Sequence, residues 1–451
     1  MIISVIKKQI FSLRFLIWFI AALFFLYEFF LRTFVGSVAS QLIPQLHLTA
    51  TSFALMGSAY YLAYGLMQVP VGILVDKYGV KYIMFFAVLV CVGATFLFSH
   101  ADNFITATTS RFLMGIGSSF AFVCLLVIAV TWFPQKYFGF FSGMSQFVGT
   151  MGPLLAAGPL IMVMAHLHVT WRQALSDIAF FGFLLAILII LFVKNKPRDK
   201  KNTLIFLEQK KTLKEHLQRL MKNKQAWSVA FYSGTLYVSI AILGAVWGTA
   251  YLEARGYSQS FSADMISFAW LGYAIGCPLL GFISDAIHRR KPILLFSALM
   301  GFFVTCSINY ISFVHDHWMY IILFFCLGIA ASGQNIGFAT MSEHVDTRTR
   351  ATGLGLNNAI ITSFGVFMPL IVSVCVGFAS HENLTHLTAQ DFMLGLSSMP
   401  ILYLTAFLIC LLCIKETYCK PQKELIKLKV RSKNKLLYQQ PIEDARVAET
   451  S

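Results

Sequence analysis

Charge is what this sequence has least of. Only 12% of its 451 residues are Asp, Glu, Lys or Arg, about half the share in an ordinary soluble domain. So few charges cannot cover the water-facing surface of two or three soluble domains, so lipid must be the main solvent. No Gly-x-x-x-x-Gly-Lys-Ser/Thr run occurs, which excludes a phosphate loop and a nucleotide-driven pump built on one. The nine cysteines lie mostly inside apolar runs (Cys91, Cys124, Cys306, Cys326, Cys375, Cys410), without the polar loops and paired spacing of a disulfide framework or zinc site. Cys410-x-x-Cys413 has no redox context and reads as a pair of packing thiols. None of the 11 histidines and only one of the 20 acids falls near the centre of an apolar run. A membrane enzyme would need a metal cluster or a nucleophile–base set, and neither is supplied. No cofactor or metal is expected.

What the chain does have is apolar length, 57% of its residues. A spanning helix needs about 20 mainly apolar residues. Twelve runs qualify: 15–40, 52–74, 82–99, 104–131, 139–165, 174–193, 227–252, 263–284, 292–314, 318–342, 352–379 and 392–414. Their even spacing and short connections favour helices over a barrel, whose strands would alternate over about ten residues. The first run follows Lys7, Lys8 and Arg14 and resembles a signal peptide, but it is too long for the 7–15-residue signal core. The predicted class is an all-α membrane protein of 12 transmembrane helices in two six-helix bundles. The expected parts are an N-terminal bundle (1–193), a basic linker (194–226), a C-terminal bundle (227–414) and a basic tail (415–451).

The net charge of +15 is concentrated, with +8 in residues 194–224 and +4 in 415–451. One set of loops, together with both ends, carries 31 of the 35 basic residues, while the opposite set carries only Arg172 and Arg255. The positive-inside rule then makes both termini and the central loop cytoplasmic. This basic balance is that of a membrane protein and gives no support to nucleic-acid binding. In the linker, Leu213, Leu217 and Leu220 among lysines fit either an amphipathic surface helix or a solvated basic segment. The halves also repeat. Gly72-Ile-Leu-Val-Asp76-Lys77 returns as Gly281-Phe-Ile-Ser-Asp285, 209 positions on, and Phe140-Phe-Ser-Gly143 as Arg350-Ala-Thr-Gly353, 210 positions on. Duplicated halves suit a transporter in which one half rocks against the other.

These residues resemble a known family. Gly72-x-Leu74-x-Asp76-Lys77-x-Gly79-x-Lys81 is similar to the loop 2–3 signature of the major facilitator superfamily, with a degenerate copy from Gly281 to Lys291. Arg111-x-x-x-Gly115-x-Gly117, ending at Phe133-Pro134, resembles the fourth-helix motif, and Trp171-Arg172 is a further common feature. Gly149-x-x-Gly152-Pro153 partly resembles the fifth-helix motif of drug–proton antiporters, and equally suits close packing and kinking. The resemblance implies gating roles for Gly72, Asp76, Lys77, Gly281 and Asp285, with Asp76 forming a latch that outward opening would break. It also implies a cavity lined by spans one, four, seven and ten. A narrower resemblance rests on Tyr27-Glu28-Phe-Phe-Leu-Arg32 and Tyr60-Tyr61-x-x-Tyr64-Gly65-x-x-Gln68-x-Pro70-x-Gly72. It links spans one and two to phagosomal-transporter-type carriers of intracellular bacteria and to lysosomal dipeptide carriers.

An ionisable group in mid-membrane costs at least about 2.5–3.5 kcal/mol, so each one is a candidate for function. Glu28 is the only acid near the centre of a span and the expected proton carrier. Arg32 lies one helical turn farther on, where the two can neutralise each other as a structural pair. Arg111 on span four adds a second cation. Two cations against one anion invite a substrate carboxylate, while Glu28 could receive an ammonium. Tyr27, Tyr61, Tyr64, Trp247, Gln334, Asn335 and Asn358 complete the candidate substrate set, although aromatic and amide side chains also glue helices together. The leading expectation is proton-coupled import of a small zwitterion, an amino acid or short peptide, by a monomeric transporter in a bacterial inner membrane. The alternatives are an organic-anion or nucleoside transporter, an exporter or antiporter, and a non-transporting nutrient receptor.

Overall fold

The computed structural model describes residues 13–48, 50–156, 158–195, 218–311, 317–347, 349–379 and 388–420. Twelve spans follow in order: α1 Leu13–Ser37, α2 Leu55–Tyr78, α3 Val80–Ser99, α4 Phe104–Trp132, α5 Gln135–Ala156 with Pro159–Leu167, α6 Trp171–Phe192, α7 Lys224–Ala254, α8 Asp264–Ala286, α9 Lys291–Tyr310, α10 His317–His344, α11 Arg350–Val376 and α12 Ala389–Cys413. Eleven cross on their own length and apolarity, and α5 does so as two helices bent by 44°. The prolines at 153 and 159 account for the bend, because a proline inside a helix removes a backbone hydrogen bond and clashes with the preceding turn. Most of the linker (196–217) and the tail from 421 lie outside the described residues. Of the expected linker helix only Leu220 is described, and it is buried.

Helices dominate because an apolar solvent offers backbone amides no other partner. Their ends, which reach polar surroundings, are closed by side chains. Asn103 Oδ1 accepts from the Thr106 amide at 2.8 Å, Thr170 and Gln173 form a capping box, and Asn223 accepts from the amides of Gln225 and Ala226. Between α2 and α3 the chain turns at Gly79, whose φ of +81° suits a residue without a Cβ.

The first six spans pack chiefly on one another, as do the last six. Small residues set the closeness within each bundle. At Gly115 on α4, the Tyr60 carbonyl and the Ala63 methyl of α2 occupy the place a side chain would need. The seam between the bundles is made by α2 against α11 and by α5 against α8, with α4 touching α11 and α5 touching α10. Its glycines again meet backbone: Gly72 faces Thr352, Gly143 faces Cys277, Gly281 faces Gly139 and Gly355 faces the Gln68 carbonyl. All of these lie toward the end that carries the basic loops, called here the basic end. Gly36 and Gly57, in the other halves of α1 and α2, face open space. The seam is therefore closed at its basic end.

Gly115→Leu should destabilise the first bundle by roughly 1–3 kcal/mol, the usual cost of overpacking. Gly93→Leu, which faces open space on α3, should be neutral. Thermal unfolding in detergent compares the two, and equal midpoints would refute the close-packing account.

Candidate functional site

The centre of the first bundle is built around one carboxylate. Glu28 on α1 is fully buried, and its Oε1 accepts from Arg32 Nε at 3.0 Å, from Arg32 Nη2, and from the Tyr60 hydroxyl at 2.8 Å. Its Oε2 has no hydrogen-bond partner among the described residues. The i, i+4 spacing on one helix face brings Arg32 to Glu28. The guanidinium of Arg32 also lies over the rings of Phe29 at 4.3 Å and Tyr64 at 4.4 Å, and its side chain keeps 16% exposure. Arg32 is therefore a cation that is paired, stacked and still reachable.

Arg111 is different. Only 1% exposed, it crosses from α4 to α1, where Nη1 donates to the Leu31 carbonyl at 2.6 Å and Nη2 to the Arg32 carbonyl at 3.2 Å. The Tyr60 ring lies 4.6 Å from its guanidinium carbon. Arg111 thus braces two helices, and the expectation that it meets substrate directly is replaced by a supporting role. Tyr60, which was not among the candidates, is the residue on which all three charges converge. Its sequence signal was weak, because a tyrosine in an apolar run is ordinary.

The remaining candidates divide. Tyr61 is half exposed beside Tyr60, and Tyr64 carries Arg32 on its ring, so both belong to the site. Tyr27 does not: it is buried against Gly182 and Phe181 of α6, away from Glu28. Trp247 donates to the Pro369 carbonyl of α11 at 3.2 Å and so ties its own bundle together. Gln334 donates to Tyr273 at 2.6 Å within the second bundle. Asn335 accepts from Ser142 at 2.8 Å, and Asn358 donates to Tyr64 at 3.1 Å and to Gln68 at 2.7 Å. These last two are seam contacts. Tyr237 of α7 faces the site from the second bundle, within electrostatic range of Arg32, Tyr61 and Tyr64.

The gating residues stand at the basic end. Asp76 accepts from the amides of Ala351 at 3.0 Å and Thr352 at 2.9 Å and from the Thr352 hydroxyl at 2.6 Å, at the N-terminus of α11. Asp285 does the equivalent at α5, accepting from Gly139 at 3.3 Å and Phe140 at 2.7 Å. A carboxylate suits both places because the first amides of a helix have no partner of their own and carry partial positive charge. Since these bonds join the bundles at their basic end, it is opening at that end that must break them. Were the basic end the cytoplasmic one, that opening would be inward rather than outward. Lys77 is exposed over Tyr78 and takes no part in the latch.

The second latch has reinforcement that sequence reasoning missed. Arg290 binds Asp285 at 2.5 Å and Glu343 at 2.9 Å, all three buried. Burial disfavours the charge of Arg290, but the Glu343 and Asp285 carboxylates outweigh it and hold its pKa above the ordinary arginine value. The segment after α12 folds back over this network. Glu416 accepts from the amides of Arg290 at 2.9 Å and Lys291 at 3.0 Å, and Thr417 donates to Glu343 at 2.5 Å. Glu343 escaped notice because it adjoins a polar loop, where an acid is unremarkable.

Lysine cannot bridge two carbonyls in one plane as arginine does. Arg111→Lys should therefore lower the stability of the folded protein by roughly 1.5–3 kcal/mol, the value of one charged hydrogen bond. Arg32→Lys, which can still pair with Glu28, should cost less. Thermal unfolding of both variants decides, and a larger loss for Arg32→Lys would contradict the bracing role.

Comparison with known proteins agrees with this architecture. The family model described as Major Facilitator Superfamily matches residues 15–413. The "Probable sulfoacetate transporter" of Cupriavidus necator is 26% identical over 56% of this chain and 61% of its own length. The hexuronate transporter of Bacillus subtilis is 26% identical over 56% and 60%, so the chain spans about three fifths of each of these two relatives. The sialic acid transporter of Escherichia coli is 23% identical over 74% of this chain and 80% of its own. Among solved structures, the proton:xylose symporter XylE superposes with a TM-score of 0.69 at 15% identity, covering 92% of this chain and 99% of that one. FucP in its outward conformation gives 0.62 at 17% identity, covering 86% and 99%. With twelve spans in two bundles, the repeated carboxylate latches and a family match over nearly its whole length, the chain belongs to the Major Facilitator Superfamily, and it is a multi-pass membrane protein with the fold of a secondary transporter.

Proposed function

We propose that this protein imports small organic anions, carboxylates above all, together with protons across a bacterial inner membrane. The basic loops would face the cytoplasm by the positive-inside rule. The seam closed at that end then corresponds to a carrier open to the outside. The observation that carries the reading is the pairing at Arg32. Of the two central guanidiniums it alone is reachable, and among the described residues its only carboxylate partner is Glu28. A cation in an apolar site favours an anionic ligand, and a guanidinium matches a carboxylate with two parallel hydrogen bonds. The names of the relatives point the same way, since sulfoacetate, hexuronate and sialic acid are all anions at neutral pH.

A zwitterion is supported less well. Its ammonium would need a free carboxylate, whereas Glu28 is fully buried and committed to Arg32 and Tyr60. Amino acids and short peptides therefore yield to organic anions as the favoured substrates.

The chemistry follows from charge. Empty, the site holds Glu28, Arg32 and Arg111 and carries one net positive charge. Protonation of Glu28 releases Arg32, which then receives a substrate carboxylate. With a monoanion such as D-glucuronate the loaded site again carries one positive charge, and with a dianion such as D-glucarate it is neutral, so in neither case does the charge that must cross the low-dielectric centre exceed that of the empty site. Tyr60 and Arg111 hold α1 in place while this exchange occurs.

Proteoliposomes with a trapped pH dye test the proposal. External D-glucarate, D-glucuronate, sialic acid or sulfoacetate should acidify the interior, and pools of amino acids, dipeptides and nucleosides should not. Glu28→Gln should abolish acidification yet retain exchange of labelled substrate. Arg32→Gln should reduce both by on the order of 10- to 100-fold, the value of one charge-assisted contact. Acidification by the amino-acid pool alone would refute the anion reading, and undiminished acidification in Glu28→Gln would refute the proton pathway.

A further inference from the structure

The α2–α11 seam is a row of contacts at four-residue spacing. Tyr64, Gln68, Gly72 and Asp76 fall on one face of α2, and each meets α11. Asp76 holds the amides of Ala351 and Thr352, Gly72 rests on the Thr352 backbone, and the Gln68 carbonyl packs on Gly355. Asn358 ends the row. Its Nδ2 donates both protons across the seam, to Tyr64 Oη at 3.1 Å and to Gln68 Oε1 at 2.7 Å. Gln68 is fixed for this purpose, because its own Nε2 donates to the Tyr64 carbonyl at 3.2 Å. Beyond this point Gly57 of α2 faces open space. Asn358 is thus the last tooth of the closed seam. It also adjoins the cation, since the Tyr64 ring that receives its hydrogen bond lies 4.4 Å from the guanidinium carbon of Arg32.

From this geometry we infer that Asn358 is a positioning residue that couples occupancy of the Arg32 site to opening of the seam at its basic end. The inference rests on the proposed reading of Arg32 as the anion site. An anion that takes Arg32 from Glu28 re-aims the guanidinium and removes it from the face of Tyr64. Tyr64 Oη then shifts relative to the Asn358 amide, and the seam loosens at the tooth nearest the ligand. Asn358 and Gln68 bury no charge, so the tie is strong enough to hold the empty carrier closed and weak enough for one ligand to release. Asn358 itself need not touch the substrate.

Pulsed electron paramagnetic resonance on nanodisc-embedded protein tests the tie. Spin labels go on Tyr82→Cys and Ile287→Cys, exposed positions at the basic ends of the two bundles, with the exposed native thiol removed by Cys413→Ser. Wild type should show mainly the short distance when empty and shift toward the long one on adding D-glucarate. Asn358→Ala, which loses both hydrogen bonds, should raise the open-to-closed ratio roughly 30-fold without any ligand, taking about 1 kcal/mol for each bond. Tyr64→Phe keeps the ring under Arg32 and loses one bond, so a roughly 5-fold rise is expected, and it carries the test should the alanine variant not fold. Binding of D-glucarate by calorimetry should tighten by up to the same roughly 5-fold in Tyr64→Phe, because a ligand that favours the open seam gains wherever that seam is already looser, and a general loss of structure would weaken binding instead. An empty Asn358→Ala or Tyr64→Phe protein as closed as wild type, or a full D-glucarate response in Asn358→Ala, would overturn the inference. If D-glucarate does not bind wild type, the anion reading fails for that probe, and the ligand-free comparison still decides whether Asn358 holds the seam.

Discussion

A carboxylate and two guanidiniums buried among apolar helices impose the constraint from which the rest follows. Isolated, any of them would be strongly disfavoured in lipid. Glu28 is neutralised by Arg32 on the next turn of its own helix, and the Tyr60 hydroxyl takes up the same oxygen. Arg111 has no carboxylate partner among the described residues and is stabilised by two α1 carbonyls and the faces of Tyr60 and Phe34. The first bundle is therefore held at its centre by interactions that leave one cation in excess. The proposed anion site draws on that excess. The second bundle contributes Tyr237 and amides, which can shape a ligand's surroundings without competing for its charge.

The two bundles are joined by a second use of carboxylates. Asp76 and Asp285 each close the amide end of a helix in the opposite bundle, at positions related by the internal repeat. They are not equivalent. Asp76 depends on α11 amides and one hydroxyl, whereas Asp285 shares Arg290 with Glu343 under the folded-back segment 414–420. Buried ion networks cost much to break when one partner leaves. The α5–α8 side of the seam is thus the firmer one, and the α2–α11 side is better suited to yield first. That side also carries Tyr64, whose ring lies against Arg32, and Asn358, which donates to its hydroxyl.

Much of this was legible in the sequence, for identifiable reasons. Spans were readable because a lipid-facing helix must be apolar along its length, and α5 was found as one run although Pro153 and Pro159 bend it. Glu28 stood out because it is the only central acid, and the latch aspartates stood out because the repeat copies them. Roles that depend on where a side chain turns were hidden. Tyr27 and Glu28 are neighbours in sequence, yet Tyr27 faces α6 and Glu28 faces α2. Arg111 was recognisable as an intramembrane cation, but its commitment to two carbonyls requires knowing that α1 lies within reach. Glu343, Glu416 and Thr417 gave no signal, since acids and hydroxyls beside basic loops are common. The expected zwitterion assumed a carboxylate free to receive an ammonium, and the pairing of Glu28 removes that assumption.

The central claim is an exchange of partners: a substrate carboxylate takes Arg32, and Glu28 takes a proton. Calorimetric titration of the purified protein with D-glucarate, repeated in buffers of different ionisation enthalpy, counts the protons bound with the ligand. The account predicts net proton uptake on binding in wild type, no uptake with binding retained in Glu28→Gln, and binding weakened on the order of 10- to 100-fold in Arg32→Gln. Binding without proton uptake in wild type, or undiminished binding in Arg32→Gln, would contradict it.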